Sequence, residues 1–391
     1  MKHNFRIVIG MLLFAIPLCL NAQVKPVRPE QEPKKAKVEK VEKEKLEKEK
    51  LEKEKFEKKE HKGGPFNSEM LKFSGFVQGL YQANLSDEGE LTSNTFRMRR
   101  VRLSAEGTLY KGLTYKIQGD FSRSPMLVDA FVKYKVADAF AIQLGQFKTP
   151  FSLESPINPV NLEIFDYGEG IQKLVGYSDV CGVGGLGRDI GLMATGKLFP
   201  VKGEEGIKYH VVDYALGVFN GNGPTTTDNN NRKDIVGRLE VHPGLKDLTL
   251  SGSYYYGKYT KDDNIDCTRN RWAAGAQYND GKLVLRGEYI AGETGVAPTL
   301  IPEDLGYYNS NGYYGVVGYN FQAGEQKIMP VLRYEHFTKD ASIAKGGTNW
   351  YTVGINYWPL KSVNFKLDYS LVQKEAGENS HRVVGILSYK F

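Results

Sequence analysis

The sequence predicts an all-β fold, a sixteen-stranded antiparallel transmembrane β-barrel preceded by a charged N-terminal spacer. Three observations predict it. From Leu71 onward, apolar and polar residues alternate with the period of strands. The connections between those stretches alternate short and long. No amphipathic helix of any length interrupts them.

The first residues, MKHNFRIVIGMLLFAIPLCLNAQ, join a basic start to a short apolar run and small residues. That is the pattern of a secretory signal peptide, residues 1–22, cleaved after Ala22. Lipid attachment at Cys19 is the alternative, with Leu18 bulky for the preceding position. Nothing after Gln23 approaches the run of about 18 apolar residues that a membrane-spanning helix needs.

Residues 23–69 read as a Lys/Glu-rich periplasmic spacer, helical or disordered. Glu44 with Lys48 and Glu49 with Lys53 stand at helix i,i+4 spacing, which supports a solvated helix. Leu46, Leu51 and Phe56 recur every five residues and so wind around such a helix without forming a seam. Gly63-Gly64-Pro65 separates it from the strands. Residues 65–391 carry 35 basic and 35 acidic residues, so the basic balance of the whole chain belongs to its first part. Nothing in the main domain points to nucleic acid.

Sixteen strands are expected at 71–82, 94–107, 112–121, 127–136, 138–147, 189–199, 207–220 and 233–241, then at 247–258, 270–279, 281–291, 312–321, 327–338, 347–357, 362–373 and 381–391. Their lengths suit a bilayer, which about 9–11 tilted residues cross. Connections such as YKG, AD and ND are tight turns, whereas NGPTTTDNNNR and TKDDNIDCTRN are long and polar. Short turns on the periplasmic side and longer loops outside are the habit of outer-membrane barrels. Phe365, Leu367, Tyr369 and Leu371 share one face of their strand, and Lys366, Asp368 and Ser370 the other. A soluble sandwich would have to bury every apolar face against another. Closing the sheet instead gives each backbone group a partner in lipid. Phe391 then falls in the periplasmic aromatic girdle, where a terminal Phe also resembles the signal read by barrel-assembly machinery.

The segments FRMRRVRLSAEGTL, VDAFVKYKV, LGQFKTPFSLE, GRDIGL and VFNGNG, then Arg333-Tyr334-Glu335, occur in this order. Together they resemble the family of phosphate-selective porins O and P. The resemblance implies an outer-membrane porin of a Gram-negative bacterium, usually a homotrimer, passing small anions or other small hydrophilic solutes by diffusion. It also implies a long third loop, here 147–188, folded into the lumen. Outer-membrane lipid and lipopolysaccharide would surround it. Between Phe147 and Arg188, Lys148, Lys173 and Arg188 face Glu154, Glu163, Asp166, Glu169 and Asp179, a balance of −2. Phosphate-selecting members carry clustered arginines on that loop, so this chain departs from them there.

The expected pore-lining residues are therefore Arg100, Arg102, Lys116, Lys133, Lys135, Arg188, Arg238 and Arg271. Rings of Arg and Lys are one physical source of anion selectivity. Arg238/Glu240, Arg286/Glu288 and Arg333/Glu335 stand two apart on one face and are expected to pair as ions. A pore for neutral or oligosaccharide solutes is the alternative, if Tyr177, Tyr254 to Tyr256 and Tyr313 line a sugar path; adhesion through the loops is another. His61, His210, His242, His336 and His381 are scattered, with His210 and His336 in the apolar register. No nucleophile–base pair, phosphate loop or metal-ligand spacing appears. Neither enzyme activity nor a cofactor or metal is expected. Cys181 and Cys267 lie in loop-like stretches, with a disulfide and two separate thiols both open.

Overall fold

A computed structural model describes residues 70–203, 206–245, 247–260, 266–295 and 307–391. The expected signal peptide (1–22) and spacer (23–69) lie outside the described residues. The first strands are β1 (Lys72–Leu85), β2 (Leu91–Tyr110), β3 (Leu113–Asp120), β4 (Leu127–Ala137), β5 (Phe140–Lys148) and β6 (Arg188–Gly203). Next come β7 (Gly206–Phe219), β8 (Asp234–Val241), β9 (Leu248–Tyr256), β10 (Lys258–Thr260), β11 (Asp266–Asn279) and β12 (Leu283–Gly295). The last are β13 (Tyr307–Tyr319), β14 (Phe321–Ala323), β15 (Gln326–Thr338), β16 (Gly347–Leu360), β17 (Val363–Lys374) and β18 (Ser380–Lys390).

These eighteen segments build sixteen staves, because Gly257 and Asn320 each interrupt one: β9 and β10 both pair with β11, and β13 and β14 both pair with β15. All neighbours run antiparallel. β1 pairs with β2 on one side and β18 on the other, so the ring closes. Each predicted strand coincides with a stave. The strands run past the predicted bounds at both ends: β11 starts at Asp266 and β13 at Tyr307, ahead of the predicted 270 and 312, and β6 continues to Gly203, beyond the predicted 199. At these ends the hairpins keep their backbone pairing where polar residues no longer alternate with apolar ones.

Alternation decides which side meets lipid. In β17, Phe365, Leu367 and Tyr369 are exposed, while Lys366, Asp368 and Ser370 are at most 3% exposed. β3 does the same, with Ile117 out and Gln118 and Asp120 in. The closing seam is tight. Gly75 N–H donates to Phe391 O at 2.9 Å, and Phe391 N–H returns a bond to Gly75 O at 3.1 Å. A Cβ on Gly75 would lie 2.6 Å from the Phe391 ring, so glycine makes the seat for that side chain.

The alternation breaks on one arc of the inner wall. Phe147, Phe219, Val236, Ile290, Val316 and Val331 point inward and are buried, although Val236, Ile290 and Val331 share their strands with inward charges such as Arg238, Arg286 and Arg333. Residues 149–187 cover them. This segment contributes Phe151, Leu162, Ile164, Ile171, Leu174 and Val175 to the same apolar cluster. It holds a 3₁₀ turn (Pro159–Asn161), capped by Asn158, and one short helix, α1 (Glu169–Leu174). Partners from β2 round to β17 reach it, which only a position inside the ring permits. Cys181 and Cys267 share a small buried cluster with Tyr259 and are not joined by a disulfide. Burial, with Asp179 adding to it, pushes the Cys181 thiol up to about 11, so it stays protonated.

Candidate functional site: a basic passage beside the lumen loop

The loop is pinned by charge. Glu154 is wholly buried and meets Arg333 at 2.6 Å and Arg286 at 3.5 Å. Glu163 pairs with Arg286, Asp166 with Arg99 at 2.6 Å, and Asp179 with Arg271. Backbone donors do similar work: Leu153 N–H donates to Glu288 at 2.7 Å, Phe165 N–H to Asp368 at 2.6 Å and Glu169 N–H to Glu335 at 3.0 Å. Burial alone would raise the pKa of Glu154, Asp166 and Asp179. The arginines beside them more than offset it and hold all three below their ordinary values. The loop's surplus of acid is thus consumed on wall arginines and projects little field into the lumen.

This arrangement corrects one expected ion pair. Arg238 meets Glu240 at 3.5 Å and Arg333 meets Glu335 at 3.2 Å, as spacing implied. Arg286 instead turns to the loop acids Glu154 and Glu163. Its strand neighbour Glu288 accepts from Ser152, Leu153, Glu154 and Tyr314. The loop outbids the neighbour two residues away because it brings both acids and donors into a dry site.

The wall from β2 to β8 stays polar and open. One recess of about 280 Å³ is lined by Arg102, Lys116, Asp129, Lys148 and Arg188, and by Pro156, Asn158 and Pro159 of the loop. A second, about 310 Å³, is lined by Lys133, Lys135, Lys197 and Arg238 with Asp138, Asp213 and Glu240. The two follow one another along the same strand faces, from Gln143 to Ala141 and from Phe131 to Lys133, toward the short-turn end. Arg102 is bound to Asp120 at 3.0 Å and Arg188 to Asp129 at 2.7 Å. Lys135 meets Asp138 and Lys197 meets Asp213. Lys116 and Lys133 have no ion-pair partner among the described residues.

Of the residues expected to line a pore, six thus lie on this passage. Arg100 faces inward elsewhere, bonded to Gln78 at 3.0 Å and 3.7 Å from Asp166. Arg271 is 1% exposed and sealed under the loop against Asp179. Lys148 and Lys197 line the passage without belonging to the expected set. Lys148 ends β5 and donates to Ile157 O at 3.0 Å and Tyr167 Oη at 2.9 Å, so it both fastens the loop and borders the passage. The tyrosines considered for a sugar path do not form one. Tyr254, Tyr256 and Tyr313 face outward and are 41–53% exposed, while Tyr255 is packed under the loop and Tyr177, a loop residue, packs against the same cluster. Among the described residues, Asp213, Glu240 and His242 bring three metal-ligand atoms within 4.8 Å. Lys197 and Arg238 already answer the two acids.

The family profile of phosphate-selective porin O and P matches residues 71–269. The chain belongs to this family. It is an outer-membrane porin, and family and fold point to a channel rather than an enzyme. Solved structures share the fold at low identity. An anion-selective porin from Comamonas acidovorans matches with a TM-score of 0.60 and 15% identity, over 82% of this porin and 99% of that chain. The outer-membrane channel DcaP of Acinetobacter baumannii gives 0.57 and 14%, over 82% and 97%. OmpT of Vibrio cholerae in its trimer form gives 0.54 and 13%, over 82% and 99%. Among curated proteins no match is found.

Proposed function

We propose that this porin passes small hydrophilic solutes with a preference for anions, phosphate among the candidates. One observation carries the reading: the open wall from β2 to β8 bears eight basic side chains, five of them paired with Asp120, Asp129, Asp138, Asp213 and Glu240, which leaves Lys116, Lys133 and Lys148 in excess. A permeating anion confined between that wall and Pro156–Pro159 meets a positive potential. The anion-selective porin of like fold supports the same direction. Planar bilayers under a potassium chloride gradient test it: the reversal potential should take the sign of chloride preference. The opposite sign would sink the proposal.

The trimeric OmpT of like fold supports a homotrimer, which cross-linking in membranes would show. For the chain as a whole we propose a signal peptide (1–22), a periplasmic spacer (23–69) and the barrel (70–391). Each backbone pairing that closes the ring lies after residue 70, so deleting 23–64 should leave heat-modifiable migration on gels intact.

A further inference from the structure

Asp213 of β7 and Glu240 of β8 stand directly opposite each other on the inner wall. Like charges so placed repel across the ladder. His242 follows β8, its backbone N–H donating to Val211 O at 2.8 Å, and it stands two residues from Glu240 on the same face. One carboxylate oxygen from each acid and one ring nitrogen of His242 lie within 4.8 Å of one another. Asp213 reaches the other two only through the β7–β8 pairing, so no spacing in the sequence announces the set.

Two details of this group point to a ligand. Oδ1 of Asp213 lies out of solvent and has no hydrogen-bond partner among the described residues, although such oxygens are normally satisfied. Nε2 of His242 stops 3.8 Å from Asp213 Oδ2, too far for a hydrogen bond, while Nδ1 is held 3.2 Å from Thr249 Oγ1. A histidine fixed through one ring nitrogen, with the other turned toward carboxylates, has the orientation that metal ligands take. The cations now beside the acids are weak competitors. Lys197 reaches Asp213 at 3.1 Å with a side chain 59% exposed, and an exposed pair adds little stability. Arg238 comes no nearer to Glu240 than 3.5 Å and also donates to Ser152 O at 3.3 Å.

We propose that Asp213, Glu240 and His242 bind a zinc-class divalent ion on the wall of the passage, near its short-turn end. One imidazole and two carboxylates, with a fourth position left to the recess of about 310 Å³, suit Zn²⁺. Ca²⁺ and Mg²⁺ prefer oxygen ligands alone. Bonds of about 2.0–2.2 Å put tetrahedral ligand atoms about 3.4 Å apart. The three side chains are 21–27% exposed, so rotation alone can close the set that far. The bound ion turns an acidic stretch of the passage into a cationic one. That consequence, unlike the site itself, rests on the anion-passage reading above.

Zn²⁺ titrated into the chelator-treated, tag-free full chain in detergent should fill a site that calorimetry detects. His242→Gln and Asp213→Asn should each weaken it at least tenfold, with thermal midpoints in the absence of zinc matching the parent's. Lys197→Gln should tighten it severalfold, because the competing ammonium is gone; adventitious surface binding has no reason to respond in that way. Ca²⁺ in tenfold excess should leave the site filled with zinc. Equal zinc affinity in the parent, His242→Gln and Asp213→Asn would overturn the site, and so would weaker binding in Lys197→Gln. In planar bilayers zinc should raise the chloride-to-potassium permeability ratio of the parent severalfold and leave that of His242→Gln unmoved. A cation-preferring chain that binds zinc through these residues overturns the passage reading alone; an anion-preferring chain that binds none overturns the zinc site alone.

Discussion

Glu154 of the lumen loop and Arg333 of β15 are 179 residues apart in sequence, yet they meet at 2.6 Å with neither side chain exposed. Removing one member of a buried pair leaves the other charge without compensation, which typically costs about 3–5 kcal/mol. Glu154→Ala leaves Arg333 with Glu335 alone and Arg286 with Glu163 alone, so the loss should fall toward the low end of that range. It should lower the unfolding temperature and raise single-channel conductance as the loop loosens. Unchanged conductance with a lower unfolding temperature would mean that the loop is held in place by its apolar core alone.

Acid should release the loop only late. Glu154, Asp166 and Asp179 all have folded pKa values below their ordinary ones. A depressed carboxylate contributes stability that is present above its unfolded pKa and lost as pH falls through the folded one. The ordinary values are 4.5 for Glu154 and 3.8 for the two aspartates, so the anchors should hold at pH 5 and fail only below that range. Limited proteolysis of the loop across a pH series would show this. Cleavage that begins near neutrality would contradict it.

Lys116 and Lys133, which have neither an ion partner nor a bond to the loop among the described residues, should dominate ion preference. A unit charge at close range in water is worth on the order of 1 kcal/mol, and salt screens it. Lys116→Gln with Lys133→Gln should reduce the chloride-to-potassium permeability ratio severalfold at low salt and far less near 1 M, by the same screening. Arg271→Gln should destabilise the protein and leave the ratio alone, because Arg271 is sealed against Asp179. A reversed outcome for the two variants would place the selective wall elsewhere.

The closing seam has little tolerance for added volume. A Cβ on Gly75 would also lie 2.5 Å from Arg102 O, so Gly75→Val should cut the yield of heat-modifiable barrel sharply. Phe391→Ala should act more mildly, since its ring is 58% exposed and its backbone bonds remain. Equal yields for Gly75→Val and the unaltered chain would remove the seam from the account.

The strands were legible because one local rule, alternation, sets both the backbone state and the side that meets lipid. Phe365 and Lys366 declare their faces without knowing any distant partner. The loop's anchors were not legible, because Glu154 and Arg333 become neighbours only once the ring has closed. Arg286 shows the same limit: its spacing to Glu288 is visible in sequence, whereas the competition from Glu163, 123 residues away, is not. The inward Ile290 and Val331 were hidden for another reason. Each sits in the inward register beside charged residues, and only the loop that covers them explains an apolar side chain in a wet lumen.

Because the lumen loop rests on its own apolar core, the part of the lumen that it occupies is braced from within. Bilayer thickness acts on the outer face, where mismatch costs only fractions of a kcal/mol per Å. Phe151, Ile171, Leu174 and their wall partners exclude water without any lipid contact, so lateral pressure has no direct purchase on the loop. The aperture should therefore be indifferent to the membrane that holds it, and single-channel conductance in short-chain and long-chain phosphatidylcholine bilayers should agree. A cell could then remodel its outer membrane and leave the sieve at the same gauge.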